Sequence, residues 1–239
     1  MSIFVLVPGA WQGGWAWQPV ARRLRAAGHE AVTVTFPGMA DDDERAGLRM
    51  TDAVEHLVAA IEKPDLRGVT LVAHSWGGYP VTAAAHRVAG RLDRIVFYNA
   101  MVPRRGVPVT GESDDSAAMI RAAIESTPDG VIPAVPDYLP LLLPDSGDEL
   151  RGLFLDLMTP MPGRYFTEPI DTPDVTGLGV PVDYLLSADD RVLIRPGAEF
   201  ASRLGLTPVP VSHGHQSMLT RPDEATAALL TLLTPRTRA

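Results

Sequence analysis

Two short runs limit most of what this chain can fold into. Ile3-Phe4-Val5-Leu6-Val7 and Val69-Thr70-Leu71-Val72-Ala73 are apolar almost without alternation, and each stops at a turn-forming stretch. A strand with one wet face alternates polar and apolar residues, so strands without alternation are buried on both faces. Such strands need cover on each side, and the intervening segments supply it. Residues 15–27 read as a helix closed by Gly28, and Thr51, with Glu55 close behind, reads as the N-cap of a helix running to about Ile61. Further strands are expected over 31–36, 94–98, 182–186 and 207–211. Helices are expected from Gly78 to about Val88 and over 222–233, the latter with proline in its first turn. Strands alternating with helices imply an α/β fold with a mostly parallel six-stranded sheet and helices on both faces.

One stretch breaks the alternation. Residues 102–178 contain no strand-like apolar run, are dense in proline, and hold two helical candidates at 116–125 and 148–158. That is too long for a plain connection. It reads as a helical cap inserted after the fourth strand, within a single domain spanning 1–239.

The bulk properties exclude several partners. A net charge of −8 argues against nucleic acid, which demands clustered cations; Arg22, Arg23 and Arg25 fit the solvated face of a helix instead. The absence of cysteine removes disulfides, thiolate metal sites and a cysteine nucleophile. No run approaches the roughly 18 apolar residues of a membrane span, and no basic segment precedes Ile3 as in a secretory leader. A cytoplasmic location is the expectation, with no membrane or nucleic-acid partner. No metal or cofactor is implied, because neither clustered ligands nor a G-x-G-x-x-G turn after a strand is present.

The chemistry gathers at Ala73-His74-Ser75-Trp76-Gly77. A serine on a sharp strand-to-helix turn leaves little room for side chains two residues to either side, hence the pattern G-x-S-x-G. Here alanine, the next smallest residue, takes the first glycine position. Serine is a weak nucleophile until an oriented base removes its proton.

With these residues in place, the chain resembles the α/β-hydrolase family, and more narrowly its small branch of plant methyl esterases and hydroxynitrile lyases. The resemblance rests on Val7-Pro8-Gly9-Ala10-Trp11 with Gly13-Gly14-Trp15, on His74-Ser75-Trp76-Gly77-Gly78, on Leu186-Ser187-Ala188-Asp189-Asp190-Arg191-Val192, and on Gly214-His215-Gln216-Ser217-Met218-Leu219. It implies Ser75 as nucleophile, His215 as base and Asp190 as acid, in the chain order Ser, Asp, His of that fold. His213 and Asp189 are the neighbouring competitors. His74, on the elbow, reads as structural, and His29, His56 and His86 as surface residues. Some hydrolases take their acid from the loop after the fourth strand, but Asn99 stands there and cannot carry the charge. The oxyanion hole is implied at the backbone N–H groups of Ala10 and Trp76. Relatives usually carry histidine where this chain has Pro8.

The implied reaction is hydrolysis of a small hydrophobic or aromatic carboxylic ester through an acyl-enzyme. The alternatives are a cyclase, acyl transferase or lyase on the same scaffold, or a ligand-binding protein. A hydroxynitrile lyase uses a threonine and a lysine where this chain has Gly9 and Gln216, which disfavours that chemistry. Candidates to line an apolar substrate pocket are Trp11, Trp76, Tyr98, Met101, Phe154, Met158, Tyr165, Phe166 and Met218. The partner expected is a small-molecule ester.

Overall fold

The computed structural model describes residues 1–211 and 214–233. Its main sheet contains β1 (Ile3–Val7), β2 (Glu30–Thr33), β3 (Val69–Ser75) and β4 (Leu92–Ala100). A separate two-stranded antiparallel ribbon pairs β5 (Val131–Ile132) with β6 (Met161–Pro162), and the main sheet resumes with β7 (Val182–Ser187) and β8 (Val209–Val211). The six main strands run in the order β2-β1-β3-β4-β7-β8, every neighbouring pair parallel. The chain steps outward from β1 to β2, then returns to the other side of β1 to lay down β3. That reversal opens a crevice beyond the carboxyl ends of β1 and β3, where open α/β sheets place their ligands.

The unbroken apolar runs have a direct cause. Val5 and Val7 face one layer, where they pack with Leu57 of α2 (Met50–Glu62), Val81 of α3 (Gly78–Val88) and Phe200 of α8 (Gly197–Ser202). Phe4 and Leu6 face the other layer, against Val20 and Leu24 of α1 (Gln18–Ala26), Met218 of α9 (Ser217–Thr220) and Leu229 of α10 (Pro222–Thr231). Burial on two faces leaves no position where a polar residue would be solvated.

Several boundaries differ from the sequence expectation. The first helix is preceded by a 3-10 turn over Gly14–Trp17 and starts properly only at Gln18, with Pro19 in its first turn. Arg49, not Thr51, is the N-cap of α2, because the Asp52 carboxylate accepts the Arg49 backbone N–H at 2.7 Å. The second strand ends at Thr33, the last at its shortened span of Val209–Val211, and α10 stops at Thr231.

Between β4 and β7 the chain forms α4 (Asp114–Glu125), α5 (Leu139–Leu142), α6 (Asp148–Leu157) and α7 (Arg164–Thr167), together with the β5–β6 ribbon. Phe154 and Met158 close a small apolar cluster of their own with Leu139, Leu142 and Leu143. One side of α6 is left bare, with Leu150, Leu153 and Leu157 respectively 46%, 55% and 43% exposed.

Candidate active site

The turn after β3 is tight enough to dictate its residues. Ser75 has φ +53, in the left-handed region where a side chain is rarely tolerated. The turn is closed by the Gly77 N–H donating to the His74 carbonyl at 2.8 Å. A Cβ on Gly77 would lie 2.6 Å from the Pro8 carbonyl oxygen, and one on Gly78 would lie 1.8 Å from that of Met101. Gly9, across the crevice, is equally confined: its Cβ would meet the Ser75 Cβ at 2.8 Å. The sequence pattern of small residues therefore marks the crossing of three backbones, at the ends of β1, β3 and β4.

His215 and Asp190 come from two other loops, after β8 and β7. Their side chains are each 1% exposed, and His215 Nδ1 lies 2.8 Å from Asp190 Oδ2. Asp190 is also anchored by the Val192 N–H, which donates to Oδ1 at 2.9 Å. Burial by itself pushes the Asp190 carboxyl up, but the charge and hydrogen bond of His215 and the Val192 N–H outweigh it and hold it below the usual carboxylate value. Asp189, the neighbouring candidate, is exposed. His213 lies outside the described residues.

Among the described residues, neither the Ala10 nor the Trp76 backbone N–H donates to a turn or loop acceptor. Both residues line a cavity of about 130 Å³ together with Ser75. Of the other pocket candidates, Trp11, Met101 and Phe166 also line it. The remaining wall comes from the stretch between β4 and β7: Ser116, Met119, Ile120 and Ala123 on one face of α4, then Ile132, Val135, Tyr138 and Leu142. Val192 and Ile194 complete it. The α4 residues recur at helical spacing, but sequence alone did not reveal which neighbour that face would meet.

Five candidates lie elsewhere. Met218 and Tyr98 are buried in the layer holding α1 and α10, where the Tyr98 hydroxyl is 2.7 Å from Ser217 Oγ. Met218 stands three residues after His215, but the helical turn of α9 carries its side chain under the sheet. Phe154 and Met158 belong to the separate leucine cluster. Tyr165 stands behind the cavity wall: it stacks on Trp76 at 5.2 Å, receives the Trp76 indole N–H on its carbonyl at 3.0 Å, and donates its hydroxyl to the Pro37 carbonyl.

Comparison with known sequences agrees with this geometry: residues 4–229 match the profile of the Alpha/beta hydrolase family. The chain belongs to that family. A carbendazim-hydrolyzing esterase of Nocardioides sp. (strain SG-4G) is 38% identical over 108 residues, covering 44% of this chain and 45% of that protein. Methylesterase 18 of Arabidopsis thaliana is 33% identical over 106 residues, 43% of this chain and 40% of its own. The matched stretches thus span less than half the length of these relatives. Among solved structures, an extracellular α/β-hydrolase from a Paenibacillus species superposes with a TM-score of 0.88 at 21% identity, over 99% of this chain and 100% of that one. Polyneuridine aldehyde esterase superposes at 0.79, also at 21% identity, over 98% and 100%. These two likenesses establish the fold. No described helix is long and apolar enough to cross a membrane, and no group of three or more candidate metal ligands occurs among the described residues.

Proposed function

We propose that this α/β hydrolase is a carboxylesterase in which Ser75, His215 and Asp190 act as nucleophile, base and acid. The observation that carries the reading is the buried 2.8 Å contact between His215 Nδ1 and Asp190. A carboxylate at that nitrogen fixes the tautomer whose Nε2 is free to accept a proton and stabilises the imidazolium that results. The serine elbow at the mouth of a cavity supports the nucleophile's role. In the proposed cycle Ser75 Oγ attacks the ester carbonyl as its proton passes to His215. The uncommitted N–H groups of Ala10 and Trp76 take up the developing oxyanion. His215 then protonates the departing alcohol, and water, deprotonated by the same imidazole, releases the acid from the acyl-enzyme.

The segment 102–178 acts as a cap that sizes the substrate. No Asp, Glu, Lys, Arg or His is among the described residues lining the cavity. It therefore suits an uncharged ester with a compact apolar or aromatic acyl group, in keeping with the methylesterases among the relatives. The same neutral wall offers no counter-charge to the carboxylate product, which favours its release. The test is hydrolysis of a short p-nitrophenyl ester series by the wild type and by Ser75→Ala. A fall in kcat of about 10⁴-fold or more is expected of the variant; retained hydrolysis would sink the proposal.

A further inference from the structure

Asn99 and His74, neither of which takes part in the proton transfers above, converge on the same atom. In the β3–β4 register, His74 pairs with Tyr98 and Ser75 with Ala100, so Asn99 is the extra residue of a bulge. Its φ is +44, a conformation asparagine tolerates better than most residues. Bulges next to active sites re-aim side chains, and here the amide is turned across the sheet end toward β7 and the loop that follows β8. Asn99 Oδ1 accepts the Ser187 backbone N–H at 2.7 Å. Asn99 Nδ2 lies 3.2 Å from the Gly214 carbonyl and 3.3 Å from the His215 carbonyl. An N–H can only donate and a carbonyl only accept, so both ends of the amide are assigned without ambiguity. Ser187 Oγ adds a donation to the Gly214 carbonyl at 2.9 Å.

From the opposite side, His74 Nε2 is 3.0 Å from the His215 carbonyl. A carbonyl partner requires that nitrogen to carry the proton. The other ring nitrogen is buried, without a partner among the described residues, and packed close to Gly9. The His74 and His215 rings lie 4.7 Å apart.

We propose that His74 and Asn99 are positioning residues that together clamp the backbone carbonyl of His215. Asn99 in addition ties the end of β7, which launches the Asp190 loop, to the loop bearing His215. The clamp fixes the acid loop and the base loop relative to each other and to the serine elbow, since His74 immediately precedes Ser75. A buried polar network is worth retaining where it specifies one arrangement. On the strand side the loop is launched from β8, which spans only Val209–Val211, and on the other side α9 begins at Ser217, so the clamp on the His215 carbonyl adds a tie between those two short elements.

This inference rests on the reading of Ser75 and His215 as nucleophile and base, and the experiment separates the two. Steady-state kinetics on p-nitrophenyl butyrate are compared for the wild type, Ser75→Ala, Asn99→Ala, His74→Leu and His74→Gln, with folding checked by circular dichroism. Displacing a catalytic group by about 1 Å costs on the order of 10–100-fold in rate. Asn99→Ala and His74→Leu are expected to lose about that much in kcat with KM within about twofold. His74→Gln, whose amide nitrogen can reach the same carbonyl, is expected to recover most of the loss. Should His74→Leu fail to fold, His74→Asn, too short to reach the carbonyl, takes its place. Hydrolysis that persists in Ser75→Ala would remove the reading beneath the inference. Ser75-dependent hydrolysis with undiminished kcat in Asn99→Ala and the His74 variants, or an equal loss in His74→Gln and His74→Leu, would overturn the inference alone.

Discussion

The two halves of the cavity wall are built on opposite terms. On the sheet side, three backbones cross with no spare volume: Gly9, Gly77 and Gly78 each abut another strand's atoms at distances a Cβ could not occupy. On the insertion side, the wall is a single face of α4 plus short segments. Gly163 is confined there too, its Cβ falling 2.4 Å from the Gly130 carbonyl oxygen, but elsewhere in the insertion, away from the cavity, Gly147, Gly152 and Gly177 meet nothing within 4 Å and α6 leaves three leucines bare. On the proposed mechanism, the parts that hold reacting atoms in place sit on the confined side, while those that only exclude or admit an acyl group sit on the side that can repack. Sequence change on the first side should therefore cost rate or stability, and on the second should redirect selectivity.

The largest effect is expected at Asp190. Asp190→Asn preserves shape but removes the charge that orients His215. We expect kcat to fall by about 10³–10⁴-fold, the scale seen when such an acid is neutralised, with circular dichroism unchanged; a loss below about tenfold would mean that the loops do not need this pair. Gly78→Ala comes next. Its Cβ would stand 1.8 Å from a backbone oxygen, and overpacking of that kind typically costs about 1–3 kcal/mol. A depressed urea midpoint is expected, whereas Gly152→Ala, inside α6 with open space around it, should raise it slightly by about 0.5–1 kcal/mol of helix propensity. Equal midpoints would erase the contrast between the two sides.

On the yielding side, Ile120→Phe fills the cavity from α4. The ratio of kcat/KM for p-nitrophenyl acetate over the butyrate should rise about tenfold, the scale of a methylene or two in an apolar pocket, with thermal stability little changed. The smallest expected effect concerns His74. Burial first, and the neighbouring His215 second, hold its imidazole well below the usual histidine value, so it is neutral in the fold. The unfolded chain takes up that proton near about pH 6.5. Stability from this group is thus complete above that pH and lost progressively as pH falls below it. Asp190, shifted down, adds a further loss only below its unfolded value of about 3.9. A thermal melt series between about pH 7 and 5 should fall for the wild type and fall less steeply in His74→Gln, the remainder coming from His56, which burial also holds down.

How far this could be read from sequence follows the same division. The runs Ile3–Val7 and Val69–Ala73 declared two-faced burial, and the small residues Ala73 and Gly77 on either side of Ser75 declared a sharp turn; both are local constraints with few solutions. The α4 stretch was legible as a helix but its packing face and neighbour were not, because an insertion of short helices has many ways to lie on a sheet. The β5–β6 ribbon is two residues per strand and left no periodic trace. Asn99 looked merely like a residue unable to serve as an acid. Its part in the network depends on a bulge and a positive φ that arise only when β3 and β4 pair.

On the proposed mechanism an acyl group resides on Ser75 during turnover. Acid-quenching the protein within its first turnovers of p-nitrophenyl acetate and mapping peptides by mass spectrometry tests it directly. An acetyl adduct is expected on the peptide containing Ser75, absent in Ser75→Ala and accumulating in proportion to any burst of p-nitrophenol. Sustained hydrolysis without that adduct, or with the adduct on another residue in both proteins, would contradict it.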